Sequence, residues 1–161
     1  MSFRIFIVDD DPSMREMINE FIQTKYDDAE IHVFSTGESA LLELFKKPDV
    51  IVLDYHLESA DGKSMNGIDI LKRMKELLPY TPVIFLSGEE NPEVAANTIK
   101  YGAYDYIVKN ENAFHRLEIM VNNSTGHMSL KKQLGIQKVF NMILLVLLIL
   151  GVLSFIVSRF M

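Results

Sequence analysis

Residues 48–57 read Pro48-Asp49-Val50-Ile51-Val52-Leu53-Asp54-Tyr55-His56-Leu57. Four apolar residues, most of them β-branched, run without interruption into an acid. A continuous apolar run this short is the pattern of a strand buried on both faces of a parallel sheet. Asp54 stands where that strand ends. In open α/β sheets the carboxyl ends of the strands are where ligands bind and chemistry is done, so Asp54 is a site candidate on position alone, with a simple turn cap as the plainer alternative.

The same pattern of apolar run followed by polar turn recurs on both sides of this stretch. Phe3 to Val8 leads into Asp9-Asp10-Asp11-Pro12-Ser13, Ile31 to Phe34 is a second run, Val83 to Leu86 ends in Ser87-Gly88, and Tyr104 to Val108 ends in Lys109. Helical spacing fills the intervals. Ser13 to Lys25 carries Met14, Met17, Ile18, Phe21 and Ile22, and Ser35 to Lys47 carries Ala40, Leu41, Leu44 and Phe45 on one face. Ile68 to Leu78 stops ahead of Pro79 and Pro82, Asn91-Pro92 opens a helix to Lys100 closed by the Gly102 turn, and Glu111 to Asn123 is a fifth helix. Asp11 before Pro12 is a helix cap, since aspartate accepts orphan amides and proline is tolerated at the first helical position. Asp9 and Asp10 are left without a capping task. Strands alternating with helices predict an α/β fold, a five-stranded parallel sheet with helices on both faces.

The totals narrow the function. A chain of 161 residues supports one ordinary domain and a small appendage. The formal charge of -6, with no Lys/Arg cluster, points away from nucleic acid. Zero cysteines exclude disulfides, thiolate metal sites and a cysteine nucleophile. Phe3 to Val8 is too short, and too quickly followed by acids, to be the apolar core of a secretory signal.

If the strands are parallel, Asp9, Asp10, Asp54, Ser87 and Lys109 gather at one edge of the sheet. Three neighbouring carboxylates repel one another, and a hard divalent cation with oxygen ligands relieves that repulsion; Mg²⁺ takes one or two carboxylates, waters and a phosphate oxygen. A lysine and a hydroxyl facing it would cradle a phosphoryl group, leaving Asp54 as the nucleophile that forms an acyl phosphate.

At these positions the sequence resembles the receiver domains of two-component response regulators. The resemblance covers Ser2 to Asn123 and rests on V-D-D-D-P-S-M-R-E, I-V-L-D-Y-H-L, G-I-D-I-L-K-R-M, P-V-I-F-L-S-G and A-Y-D-Y-I-V-K, which are specific as a set. It implies a flavodoxin-like strand order 2-1-3-4-5 and a receiver domain over residues 1–123. It implies that Asp9 and Asp10 serve the Mg²⁺ site with Asp54 and the backbone carbonyl of His56. Asp54 then accepts phosphate from a histidine kinase or phosphotransfer protein, Ser87 and Lys109 contact the phosphoryl group, and Tyr106 is the aromatic switch. A downstream protein would meet the face built from the fourth helix, fifth strand and fifth helix.

Three departures stand out. Asn110 follows Lys109 where receivers usually have a proline in a cis bond, and a trans bond is expected here. The connection Glu58 to Gly67 is long, with Asp61, Lys63 and Ser64 read as a solvated loop. Ser87 replaces a commoner threonine and keeps the hydroxyl. Of the histidines, His32 reads as a strand residue, His115 and His127 as surface, and His56 as a residue able to gate attacking water. Tyr101 and Tyr104 read as strand-edge packing.

From Val139 to Ser158 the chain carries no charge. Twenty helical residues at about 1.5 Å each reach roughly 30 Å, the thickness of a bilayer's hydrocarbon core. Residues 139–158 are therefore expected to be a transmembrane helix in contact with lipid. Lys131, Lys132 and Lys138 precede it and Arg159 follows, so the positive-inside bias expects a single-pass tail anchor with the receiver on the cytoplasmic face of the cell membrane. Residues 124–138 read as a linker, and no DNA-binding or enzymatic output domain is expected. The rival reading is a receiver-like scaffold that recruits a partner to the membrane without phosphorylation. A flavodoxin-type nucleotide binder is disfavoured, because acids follow the first strand where a phosphate loop would need glycines.

Overall fold

The five apolar runs form the strands β1 (Phe3–Val8), β2 (Ala29–Phe34), β3 (Val50–Leu53), β4 (Val83–Ser87) and β5 (Asp105–Val108). In the computed structural model, which describes residues 3–57, 66–124 and 142–144, they make one sheet in the order β2-β1-β3-β4-β5. Every pairing is parallel. The expected α/β architecture and strand order are therefore both present. Four helices, α1 (Pro12–Lys25), α2 (Gly37–Leu42), α3 (Gly67–Leu77) and α4 (Pro92–Lys100), connect the strands. Residues 113–124 form α5.

Alternation along the strands separates two cores. Ile5 and Ile7 of β1, Val50 and Val52 of β3, Ile84 and Leu86 of β4 and Ile107 of β5 pack with Ile18 and Ile22 of α1 and Ala113, Leu117 and Val121 of α5. Phe6, Val8, Ile51, Leu53, Phe85 and Tyr106 face the other way, onto Ala40 of α2 and Ile70, Leu71 and Met74 of α3. Each such fully buried aliphatic or aromatic side chain contributes about 1.5–3 kcal/mol relative to exposure.

Register sets the chemistry. Val8 lies opposite Leu53, so the next residues, Asp9 and Asp54, leave the sheet side by side. Continuing the alternation, Asp9 follows Ile5 and Ile7, Asp54 follows Val50 and Val52, and Lys109 follows Ile107, all toward the α1 and α5 face. Ser87 instead continues Phe85 and shares the α3 side with Tyr106.

Local readings hold at the caps and fail in two places. Asp11 accepts from the Ser13 amide with Pro12 behind it, Asn66 caps α3 through Asp69, and Asn91 caps α4 through Glu93. The Gly102 turn has φ +99°, a conformation that favours glycine. The expected helix Ser35 to Lys47 is interrupted, however. α2 ends at Leu42 and a 3₁₀ turn, Leu44–Lys46, follows, ending at Lys47 with φ 55°. The tighter winding of the 3₁₀ turn changes the phase of the apolar stripe, so Leu44 stays buried while Phe45, expected on the core face, is 72% exposed. Met17 is also corrected, since it is half exposed. The inward stripe of α1 is centred on Ile18 and Ile22, and Met17 lies about 100° around the helix from Ile18.

Gly67 opens α3 against the end of β3. A Cβ there would stand 2.7 Å from the Asp54 carbonyl oxygen and 2.9 Å from both Tyr55 Cα and Phe85 Cε1. Only glycine permits that approach. Among the described residues no peptide bond is cis, so Lys109-Asn110 is trans as expected.

The chain divides into two units, Met1–Ser124 and Thr125–Met161. Of the second, residues 142–144 are described; they are helical, with exposed side chains. Among the described residues no helix is long and apolar enough to cross a membrane. The proposed transmembrane stretch 139–158 lies otherwise outside the described residues. So do residues 125–138 of the linker, the loop residues Asp61, Lys63 and Ser64, and His127.

Candidate functional site

β1, β3, β4 and β5 each deliver a polar side chain to one edge of the sheet, because parallel strands end on the same side. Asp9 and Asp54 are almost fully buried, at 2% and 5% exposure, while Asp10 is half buried. Carboxylate oxygens from Asp9, Asp10 and Asp54 lie within 4.8 Å of one another. Lys109, arriving from β5, donates to Asp9 Oδ2 at 2.9 Å and stands 3.1 Å from Asp54 Oδ1. The contact to Asp54 is an ion pair without the alignment of a hydrogen bond, and Asp54 Oδ1 is left buried without a hydrogen-bond partner. Asp9 proves to have a turn role as well, since its Oδ1 accepts from the Asp11 amide at 2.9 Å.

Among the described residues, Lys109 is the cation paired with the Asp9 and Asp54 carboxylates, and Asp10 adds a third acid close to them. Burial pushes the Asp54 carboxyl above the ordinary aspartate range; Lys109 opposes the shift and the Asp9 charge adds to it. Burial alone would lower Lys109, but its hydrogen bond to Asp9 and the charges of Asp54 and Asp9 outweigh it, so its pKa is raised. Asp54 moves up chiefly because it is buried, and Lys109 moves up because of the negative charge around it.

That donor set fits a hard divalent cation. It offers oxygen alone, it includes an orphaned buried carboxylate oxygen, and its like charges need a counterion. Asp9, Asp10 and Asp54 are the residues able to hold it.

Ser87, at the end of β4, is fully buried, and its Oγ accepts from the Glu89 amide at 3.1 Å. Tyr106 stacks on Phe85 with ring centroids 6.2 Å apart, and its hydroxyl donates to the Glu89 carbonyl at 2.7 Å. Burial raises the Tyr106 phenol, with the Ser87 hydroxyl opposing and the Glu89 charge adding. The two peptide groups of Glu89 thus join Ser87 to Tyr106. The His56 ring is exposed, edge-on to Tyr55 at 4.8 Å, and its Nε2 lies 3.8 Å from Glu89 Oε2. Sequence reasoning named Ser87, Tyr106 and His56 but missed Glu89, because its part is played by backbone groups that carry no side-chain signature. His32 is a strand residue paired with Glu30 at 2.8 Å, and His115 is exposed. Tyr101 and Tyr104 are exposed rather than packed away, Tyr101 lying under the Lys72 ammonium at 4.5 Å.

The response regulator receiver domain model matches residues 5–122. The chain belongs to that family. An NtrX-like response regulator of Rickettsia bellii is 35% identical over 130 residues, covering 80% of this chain and 26% of that protein. The nitrogen assimilation regulatory protein NtrX of Azorhizobium caulinodans is 31% identical over 134 residues, covering 83% and 28%. Among solved structures, the receiver domain of NtrX from Brucella abortus superposes with a TM-score of 0.66 at 29% identity, covering 74% of this chain and 96% of that one. This receiver chain therefore spans about a quarter of the length of the curated relatives it matches. Receiver domains of response regulators work with histidine kinases or phosphotransfer proteins and bind Mg²⁺ in an acidic pocket, and this receiver has such a cluster in Asp9, Asp10 and Asp54.

Proposed function

We propose that this receiver accepts a phosphoryl group on Asp54 from the phosphohistidine of a histidine kinase or phosphotransfer protein and so changes a partner-binding surface. The observation that carries the reading is a buried carboxylate, Asp54, in contact with Lys109 and within 4.8 Å of two further acids. An isolated strand-end aspartate would have none of these neighbours. The Asp54 oxygen attacks phosphorus, the phosphorus–nitrogen bond of the donor breaks with its electron pair left on the ring, and the imidazole takes a proton from solvent and leaves neutral. The desolvated surroundings of Asp54 exclude competing water. Asp9, Asp10, Asp54 and the backbone carbonyl of His56 would hold Mg²⁺, which when bound would supply charge neutralisation for the phosphoryl oxygens. Lys109 donates to a phosphoryl oxygen, and the Ser87 hydroxyl donates to another once the 87–89 turn closes. Because Glu89 connects Ser87 to Tyr106, that closure acts on Tyr106 and on the α4, β5 and α5 face, where Ile99, Tyr101, Tyr104 and Ile119 are exposed for a downstream protein.

The test is the intact mass of the full chain after incubation with Mg²⁺ and acetyl phosphate. A gain of one phosphoryl group that disappears in Asp54→Asn and without Mg²⁺ supports the assignment; continued labelling of Asp54→Asn defeats it. The scaffold reading predicts neither labelling nor Mg²⁺ binding. The uncharged stretch 139–158 further supports attachment to lipid, with the receiver on the cytoplasmic face of the cell membrane as a single-pass tail anchor. The full chain should then stay in the membrane pellet through an alkaline carbonate wash, and release into the supernatant overturns the anchor.

A further inference from the structure

Arg15 carries a contact that the phosphoacceptor reading does not use. It occupies the first turns of α1, its amide donating to the Asp11 carbonyl at 3.0 Å. A cation near the positive end of a helix dipole is unfavourable, and the one acid at this end of α1, the N-cap Asp11, is engaged with the Ser13 amide. The side chain instead folds back, and Nη1 donates to the Asp9 carbonyl oxygen at 2.6 Å. That length is typical of a charge-assisted hydrogen bond. The accepting carbonyl is one residue past Val8, the last paired residue of β1, where the strand hydrogen bonds have ended.

The Asp9 carbonyl and the Asp10 amide belong to one planar peptide unit. Holding the carbonyl fixes that plane, and the plane sets where the Asp10 Cα, from which its carboxylate departs, lies. The other atoms of Asp9 are already held: its amide donates to the Phe34 carbonyl at 3.2 Å, Oδ1 accepts from Asp11 and Oδ2 from Lys109. Arg15 in turn grips the peptide between the two acids. We infer that Arg15 is a positioning residue for the metal-binding acids, aligning Asp10 with Asp9 and Asp54 through the Asp9–Asp10 peptide. The inference rests on the metal-site reading given above.

The opposing effect is electrostatic, because a guanidinium beside three acids repels an incoming cation. The two effects have opposite signs, so one titration separates them. Mg²⁺ is titrated calorimetrically into the full chain without phosphodonor, for wild type, Arg15→Met and Arg15→Lys, with the metal-free Tm recorded for each. Lost alignment weakens Mg²⁺ binding about tenfold in Arg15→Met, the scale on which outer partners of metal ligands act. Arg15→Lys, which keeps a charged donor on a shorter reach, recovers most of the loss. Labelling by acetyl phosphate at saturating Mg²⁺ stays near wild type in both, with the half-saturating Mg²⁺ concentration raised in Arg15→Met. Arg15→Gln replaces Arg15→Met if the latter fails to fold. Equal or tighter Mg²⁺ binding by Arg15→Met, or Arg15→Lys as weak as Arg15→Met, overturns the positioning role alone. Absence of Mg²⁺ binding in wild type overturns the metal site and this inference with it.

Discussion

Asp54→Asn should stabilise the metal-free protein, although it removes the proposed acceptor. At an effective dielectric of about 20, two carboxylates within 4.8 Å each repel Asp54 by about 3 kcal/mol, and Lys109 at 3.1 Å attracts it by about 5 kcal/mol. Asp10 is half buried, so solvent weakens its part, and the charge effects nearly cancel. Burial, the largest influence on Asp54, then decides the sign. Removing a charge whose ionised form burial disfavours is a gain at neutral pH, on the scale of a typical single substitution, about 1 kcal/mol. For a receiver-sized domain this is a Tm increase of roughly 3–8 °C. Because the folded-state pKa is raised, the ionised carboxylate costs native stability above that pKa and nothing below the ordinary value of 3.8. The advantage of Asp54→Asn is therefore full above the raised pKa, shrinks as the pH falls through it, and is gone below 3.8. Mg²⁺ reverses the order: at a hundred times its Kd a ligand adds about 2.7 kcal/mol to the protein that binds it, and the asparagine variant binds it more weakly. Thermal melts in EDTA and in Mg²⁺, at neutral and acid pH, measure all of this. Asp54→Asn melting below wild type in EDTA at pH 7 would refute the reasoning.

The remaining predictions concern groups around that acid. Lys109→Met leaves buried Asp9 and Asp54 without their ion pair; breaking such a pair costs 3–5 kcal/mol when fully buried, and about 2–3 kcal/mol is expected with Lys109 20% exposed, opposite in sign to Asp54→Asn in the same EDTA melts. Gly67→Ala brings a Cβ against backbone of Asp54 and Tyr55, so a loss of about 2–3 kcal/mol in urea unfolding and slower acetyl phosphate labelling are expected. Away from the site, the Arg4 hydrogen bond, with a smaller contribution from His32, holds the Glu30 carboxyl down to about 2. Its stabilising effect is present above the ordinary carboxylate range and lost as the pH falls toward 2, and carboxyl NMR titration should show Glu30 returning toward the ordinary range in Arg4→Met.

Most of the sheet was legible because buried parallel strands leave unbroken apolar runs, as in Val50–Leu53 and Val83–Leu86. The site was legible because each run ends in a polar residue and parallel strands end together, so Asp9, Asp54 and Lys109 could be brought to one edge by topology alone. What could not be read depended on backbone conformation. Nothing in Leu41-Leu42-Glu43-Leu44-Phe45 signals the change from α to 3₁₀ winding that turns Phe45 outward. Glu89 and Arg15 act through peptide groups, which every residue possesses, and so neither spacing nor composition marks their roles. Arg15 left one trace, a cation placed where a helix favours an acid.

The turn after β4 ties a buried hydroxyl to a ring near the outer face through the N–H and C=O of Glu89. Such a linkage is written in the main chain and is indifferent to the side chain that decorates it. Nineteen of the twenty amino acids would preserve it, and proline alone, lacking the N–H, would cut it at the Ser87 end. The Glu89 side chain, which accepts from the Asn91 amide at 3.1 Å and lies 3.8 Å from His56 Nε2, can thus be exchanged while the connection behind it stays the same. Families of such chains can vary what their sites display without rewiring how the sites report.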